Sequence, residues 1–144
     1  MASSPNKTVA TEANVEVFLA GITDAEKRAD SAILVEMMER LSGEPAVMWG
    51  PSIVGFGRYH YHYESGRSGD SARLGFSPRN QNMVVYLVPG FSENEAQRER
   101  LGKHRVGKSC LYINRLSDVS ISTLEEMVVH SLARMDKLYP RGTA

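Results

Sequence analysis

Between Arg58 and Glu64 the chain changes period. Tyr59, Tyr61 and Tyr63 alternate with Arg58, His60, His62 and Glu64, and a period of two belongs to a strand with one face packed and one face wet. Glu64 to Asp70 holds two glycines and two serines, which predicts a turn or a longer hairpin loop. Ala72 to Ser77 and Asn82 to Val88 read as the next strands, joined through Arg79-Asn80-Gln81. With a short piece at Ile53 to Phe56, these runs predict an antiparallel meander of three or four strands. The surrounding stretch, Trp49 to Phe91, carries the only Trp, three of four Phe and four of six Tyr, so the core is expected to centre on it.

Helical periodicity flanks this β-rich centre. Val15, Phe18, Leu19 and Ile22 fall at i, i+3, i+4 and i+7. Thr23 and Glu26 spell a capping box for a second helix through Ala25, Ala29, Ile33, Met37 and Leu41. Gly43 and Pro45 close that helix. After the strand stop at Pro89-Gly90, Glu93 to Leu101 is a short helix and Ser109 to Ile113 a further strand. Ser122 and Glu125 offer a second capping box. The last helix carries Ile121, Leu124, Met127, Val128, Ser131, Leu132, Met135 and Leu138 on one side. The order α-α-β-β-β-β-α-β-α predicts a single two-layer α+β domain over 14–140, with a mainly antiparallel sheet of four to five strands covered by helices. Residues 1–13 and 141–144 read as tails.

Composition narrows the function classes. Of 144 residues, 17 are Lys or Arg and 17 are Asp or Glu. The balance argues against a duplex-DNA or polybasic membrane binder, so no nucleic acid and no membrane partner is expected, although a local basic patch is compatible with it. One cysteine, Cys110, excludes an internal disulfide and fits a reducing compartment. No apolar run approaches a membrane span. The expectation is a cytoplasmic protein. Nothing in the sequence sets its oligomeric state, and a homodimer is compatible with it.

Three constellations can carry chemistry. His60 and His62, at i and i+2 on a strand, point to one side and have a usable metal-ligand spacing; Glu64, Asp70 or His104 would complete a site. The loop Gly102-Lys103-His104-Arg105-Val106-Gly107-Lys108-Ser109 is basic and bounded by glycines, a composition that can cradle phosphate or carboxylate. It has the P-loop spelling but leads into a strand, where a true P-loop opens a helix. Arg79 with Asn80, Gln81 and Asn82 supplies bidentate hydrogen-bonding groups, able to complete an anion site with Arg58 and Lys108. Against each stands a plainer reading: surface histidines, a solvated loop, turn chemistry. Cys110 reads as a small buried hydrophobe, Trp49 and the tyrosines as core packing or pocket wall, and Glu36, Glu39, Glu125 and Glu126 as a solvated face.

The motifs Met48-Trp49-Gly50, Gly55-Phe56-Gly57, Tyr59-His60-Tyr61, Glu64-Ser65-Gly66-Arg67, Gly69-Asp70, Gly75-Phe76-Ser77-Pro78-Arg79, Leu101-Gly102-Lys103-His104 and Gly107-Lys108-Ser109-Cys110-Leu111-Tyr112-Ile113 occur in one order across Val15 to Leu138. In this the chain resembles the YdhG-like domain family of unknown function. The resemblance implies a small bacterial-type α+β domain and supplies no reaction. Some distant relatives are described as frataxin-like iron chaperones, which implies iron or another divalent metal as an alternative cofactor. His60, Arg79, Lys103 and Lys108 lie inside matching motifs, whereas His62 and Ser71 depart from them.

The expected function is therefore a binding domain rather than an enzyme. Arg58, His60, Arg79, Lys103, His104 and Lys108 would hold a small anionic molecule, a phosphate or a carboxylate, beside aromatic walls. The alternatives are metal handling through His60, His62 and Glu64, and a protein-interaction module.

Overall fold

Apolar stripes on two long helices meet one face of an antiparallel sheet, and that meeting is the core. The computed structural model describes residues 10–11, 13–62, 65–66, 68–87, 90 and 94–140. Helices α1 (Val15–Ala20) and α2 (Ala25–Ser42) precede strands β1 (Ala46–Trp49), β2 (Ile53–Phe56), β3 (Tyr59–His62), β4 (Ser68–Ser71), β5 (Leu74–Pro78) and β6 (Met83–Tyr86). Then follow α3 (Glu95–Leu101), β7 (Arg105–Val106), β8 (Cys110–Ile113), a 3-10 turn at Leu116–Asp118 and α4 (Ile121–Leu138). Six strands form one antiparallel sheet in the order β1-β2-β5-β6-β8-β7. Strands β3 and β4 pair only with each other among the described residues.

Alternation along each strand divides the sheet into two faces. Met48, Val54, Phe56, Leu74, Phe76, Met83, Val85, Leu111 and Ile113 are buried in a cluster with Leu34, Met37, Met38, Leu124, Met127 and Val128 of α2 and α4. The intervening residues, among them Trp49, Gly55, Ser77, Tyr86, Cys110 and Tyr112, belong to the opposite, outer face. The α+β class and the helix-covered antiparallel sheet follow the sequence expectation. The strands are more numerous: β1, β4 and β7 are additional. β7 has only two residues, and β4 has turn composition (Ser-Gly-Asp-Ser) that pairing with β3 overrides.

Local details correct the sequence reading in four places. The four-residue row on α2 is not its buried face: Ile33 is 46% exposed, while Asp30, Ser31, Leu34, Met37, Met38 and Ser42 are buried. At about 100° per residue, a strict four-residue step drifts by about 40°, so such a row winds around the helix. On α4, likewise, Leu138 lies exposed. Both caps sit two or fewer residues from the expected boxes. Asp24, not Thr23, caps α2, with Oδ1 accepting from the Glu26 and Lys27 amides at 2.9 and 3.1 Å. Ser120, not Ser122, caps α4, its Oγ accepting from the Thr123 amide at 3.2 Å, which leaves Glu125 to pair with Arg40 of α2 at 3.0 Å. Third, the strand of tyrosines leaves the meander: Gly57 has φ of 71°, turning the chain away from β2, whose two edges are taken by β1 and β5. Last, part of the expected N-terminal tail is anchored, with Ala10 bridged to Trp49 and the Thr11 amide donating to the Met48 carbonyl at 2.8 Å. Pro89, Glu93 and residues 141–144 lie outside the described residues.

Two measurements check this packing. Leu34→Ala is expected to cost about 2–5 kcal/mol in urea unfolding, whereas Ile33→Ala should cost under about 1 kcal/mol. The Lys27 amide holds the Asp24 carboxyl below its ordinary value of 3.8; desolvation opposes it, and the Glu26 amide adds to the lowering. A carboxyl lowered on folding stabilises fully above its unfolded pKa and loses that effect as pH falls through the folded one. Asp24→Asn should therefore flatten the decline of melting temperature between about pH 5 and about pH 2.

Candidate functional site

The outer face at the β1–β2 end of the sheet is walled into a cleft of about 770 Å³ by the β3–β4 ribbon and the C-terminal end of α4. Trp49 is its floor. The indole packs closely on Gly55, where an added Cβ would stand 2.3 Å from Trp49 Cδ1 and 2.8 Å from Ala72 Cβ, so only glycine admits this placement. The Arg58 guanidinium sits over the indole, 5.6 Å from the ring centroid, and shields it to 3% exposure. Tyr59 and Tyr139 form a second aromatic pair at the mouth, with centroids 4.6 Å apart.

The polar groups converge on Asp70. Hairpin register sets His60 directly opposite Asp70. Asp70 Oδ1 accepts from His60 Nδ1 at 2.9 Å, and Oδ2 faces Arg58 at 3.6 Å. One carboxylate thus orients two donors side by side. It also fixes the imidazole with the proton on Nδ1, leaving Nε2 for another partner. Arg58 and Asp70 side chains are 60% and 44% exposed, and an ion pair so wet is worth under about 1 kcal/mol. An incoming anion can take the guanidinium at little cost.

Arg73 also lines the cleft but its charge is committed. It is 4% exposed; Nε donates to the Arg58 carbonyl at 3.1 Å, one terminal nitrogen to Asp136 at 3.2 Å and the other to the Tyr139 carbonyl. It joins the root of the ribbon to the end of α4, where a cation also complements the helix dipole.

The six anion-binding residues named from sequence separate into two groups. Arg58 and His60 line the cleft. Arg79 follows the end of β5 and donates to the Tyr86 hydroxyl at 2.9 Å. Lys103, His104 and Lys108 flank β7, at the far edge of the sheet from β1, about 24 Å across at strand spacing. The basic loop is not an open nest: the Lys103 amide donates to Asp118 and the Gly107 amide to Cys110. His104 is likewise engaged, with Nδ1 on the Gly102 carbonyl at 2.7 Å and Arg98 Nε 3.5 Å from Nε2. His60 and His62 are both exposed on β3, Glu64 lies outside the described residues, and no group of three potential metal ligands occurs among the described residues. Cys110 is half-buried on the outer face, with Leu111 pointing inward.

Arg73, Tyr139 and the bridging role of Asp70 were not read from the sequence. Asp70 had a signal: centring the hairpin on Ser65 sets 60 opposite 70. Arg73 had one too, as a lone cation in Ala-Arg-Leu-Gly-Phe. No family model, no curated protein and no solved structure matches this chain.

Gly55→Ala tests the floor. The added methyl must displace the single Trp, so its fluorescence emission should shift to longer wavelength, with stability lowered by about 1–3 kcal/mol.

Proposed function

We propose that the protein is a binding domain whose cleft takes a small carboxylate or phosphate carrying a flat or apolar body. The observation that carries this reading is the Asp70 bridge, which presents the Arg58 guanidinium and the His60 imidazole together over an aromatic floor. The anion would exchange for Asp70 on the exposed edge of Arg58, an O–H or N–H of the same ligand would donate to His60 Nε2, and the body would pack against Tyr59 and Tyr139. Arg79, Lys103, His104 and Lys108 have no part in this cleft. The cleft belongs to a chain with no helix, among the described residues, long and apolar enough to cross a membrane. The single cysteine agrees with a cytoplasmic setting.

A second reading rests on the same dyad. A histidine held at Nδ1 by a carboxylate is oriented as metal-ligating histidines are, with Nε2 presented, and His62 follows on the same side of β3. This supports iron or another divalent metal, in line with the YdhG-like resemblance. The dyad also has the form of an oriented general base, but no nucleophile accompanies it among the residues lining the cleft.

Calorimetric titration with a panel of carboxylated and phosphorylated metabolites separates these readings. An anion that binds should lose about tenfold or more in affinity in Arg58→Ala, the loss of a charge-assisted contact, and nothing in Lys108→Ala. Retained affinity in Arg58→Ala overturns the anion reading. Saturable ferrous binding abolished by His60→Ala, with no anion bound, establishes the metal reading in its place.

A further inference from the structure

The neutral net charge conceals a polarised chain. From Ser71 to Ser92 and from Arg100 to Ser117 there is no Asp or Glu, and these two stretches contain β5, β6, β7 and β8. These are four of the six strands of the sheet, and β1 and β2 carry no Asp or Glu either, so the sheet as a whole is built from acid-free sequence. Its cations divide by partner. Arg73, Arg100 and Arg115 reach Asp136, Glu126 and Glu26. Arg79, Lys103, Arg105 and Lys108 have no carboxylate partner among the described residues, and all four are exposed.

Two of these cations are organised on tyrosines of the outer face. Arg79 donates to the Tyr86 hydroxyl at 2.9 Å. Arg105 stands over the Tyr112 ring, 5.0 Å from its centroid, and pairs with Tyr112 in the β7–β8 register. Tyr86 pairs with Cys110 and Tyr112 with Val84, so the two rings are diagonal neighbours on one face, with Arg105 beside Tyr112 and Arg79, just past the end of β5, reaching Tyr86. Lys108 lies in the turn between β7 and β8. Burial raises the Tyr86 hydroxyl pKa, opposed by the charge of Arg79, so the phenol remains a neutral hydrogen-bonding group beside that cation.

We propose that the surface formed by Arg79, Tyr86, Tyr112 and Arg105 on the outer side of the sheet, with Lys103 and Lys108 at its edge, binds single-stranded nucleic acid. The unpaired cations meet phosphates, and the half-exposed tyrosines with the planar guanidinium of Arg105 meet unstacked bases. A duplex keeps its bases stacked within and leaves the rings idle. A purely anionic polymer uses the charges alone. The cations without carboxylate partners supply the charge complementarity, and the two tyrosine rings with the guanidinium of Arg105 select bases over other polyanions. The face is separate from the Arg58–His60 cleft, so either site can fail without the other.

The test is fluorescence anisotropy with the full chain and a labelled single strand of mixed sequence. Saturable binding is expected, weakening about 50-fold between about 50 and about 200 mM salt if four phosphates are neutralised. Arg79→Ala/Arg105→Ala should weaken binding and shallow the salt dependence. Tyr112→Leu should weaken it with the salt dependence unchanged; should that variant not fold, Arg105→Lys, which keeps charge and loses the plane, is expected to weaken it likewise. Arg58→Ala in the cleft should leave it intact. Equal binding of the matching duplex, equal competition by inorganic polyphosphate or by phosphatidylserine vesicles, or no binding at all overturns the proposal. A loss in Arg58→Ala equal to that in the double variant overturns its assignment to this face.

Discussion

A buried guanidinium holds the functional end of this protein together. Arg73 is nearly without solvent, and a charge in that position is costly unless its hydrogens are all met. Its partners come from three places: the Arg58 carbonyl at the root of the ribbon, Asp136 on α4, and the Tyr139 carbonyl at the end of α4. Satisfying one side chain therefore fixes where the ribbon leaves the sheet and where the last helix stops. Those two placements are the walls of the cleft. Gly57 admits the guanidinium stem closely, with an added Cβ falling 3.3 Å from Arg73 Cδ.

The two faces of the sheet have divided the work. The helix side holds the apolar residues, and its few polar groups are internally satisfied, as where Asp30 accepts from the Leu116 amide at 3.0 Å. The outer side is built from small residues under large ones: Gly55 under Trp49, with Ser77 bonded to the Ser52 carbonyl at 2.7 Å. The small positions let arginines and aromatic rings lie close to the backbone. Arg79 and Arg105, neither with a carboxylate partner among the described residues, lie on this side against Tyr86 and Tyr112. Acidic side chains instead pair across the helices, as Arg40 with Glu125 and Arg100 with Glu126.

The class of fold was legible because periodicity reports on neighbours within one element. The alternation at Tyr59–His62 and the stripe on α4 through Leu124, Met127, Val128, Ser131, Leu132 and Met135 both appear where the residues place them. Which elements become neighbours was not legible. Nothing in the β6–α3–β7–β8 sequence announces that β8 inserts beside β6 and displaces β7 to the edge, and that step removes Lys103, His104 and Lys108 from the reach of His60. The basic loop misled for a related reason. Its glycines permit inward amides, but the hairpin and the 3-10 turn use those amides first. Asp70 was judged by its turn-like neighbours, although a strand needs only a partner with a matching register.

The ribbon of β3 and β4 has a thermodynamic character of its own. An isolated two-stranded hairpin is at best marginally stable in water, and this one carries no fully buried residue in either described strand. Its attachment rests on its root and on the tilted ring contact of Tyr59 with Tyr139. Such a segment opens below the free energy of global unfolding, so amide exchange within it runs ahead of exchange in β5 and β6. Because Asp70 and His60 ride on the ribbon, the geometry that readies the cleft exists only while the ribbon is closed. A molecule spanning from Arg58 to Tyr139 would act as a splint, recruiting a semi-independent flap into the cooperative unit of the domain.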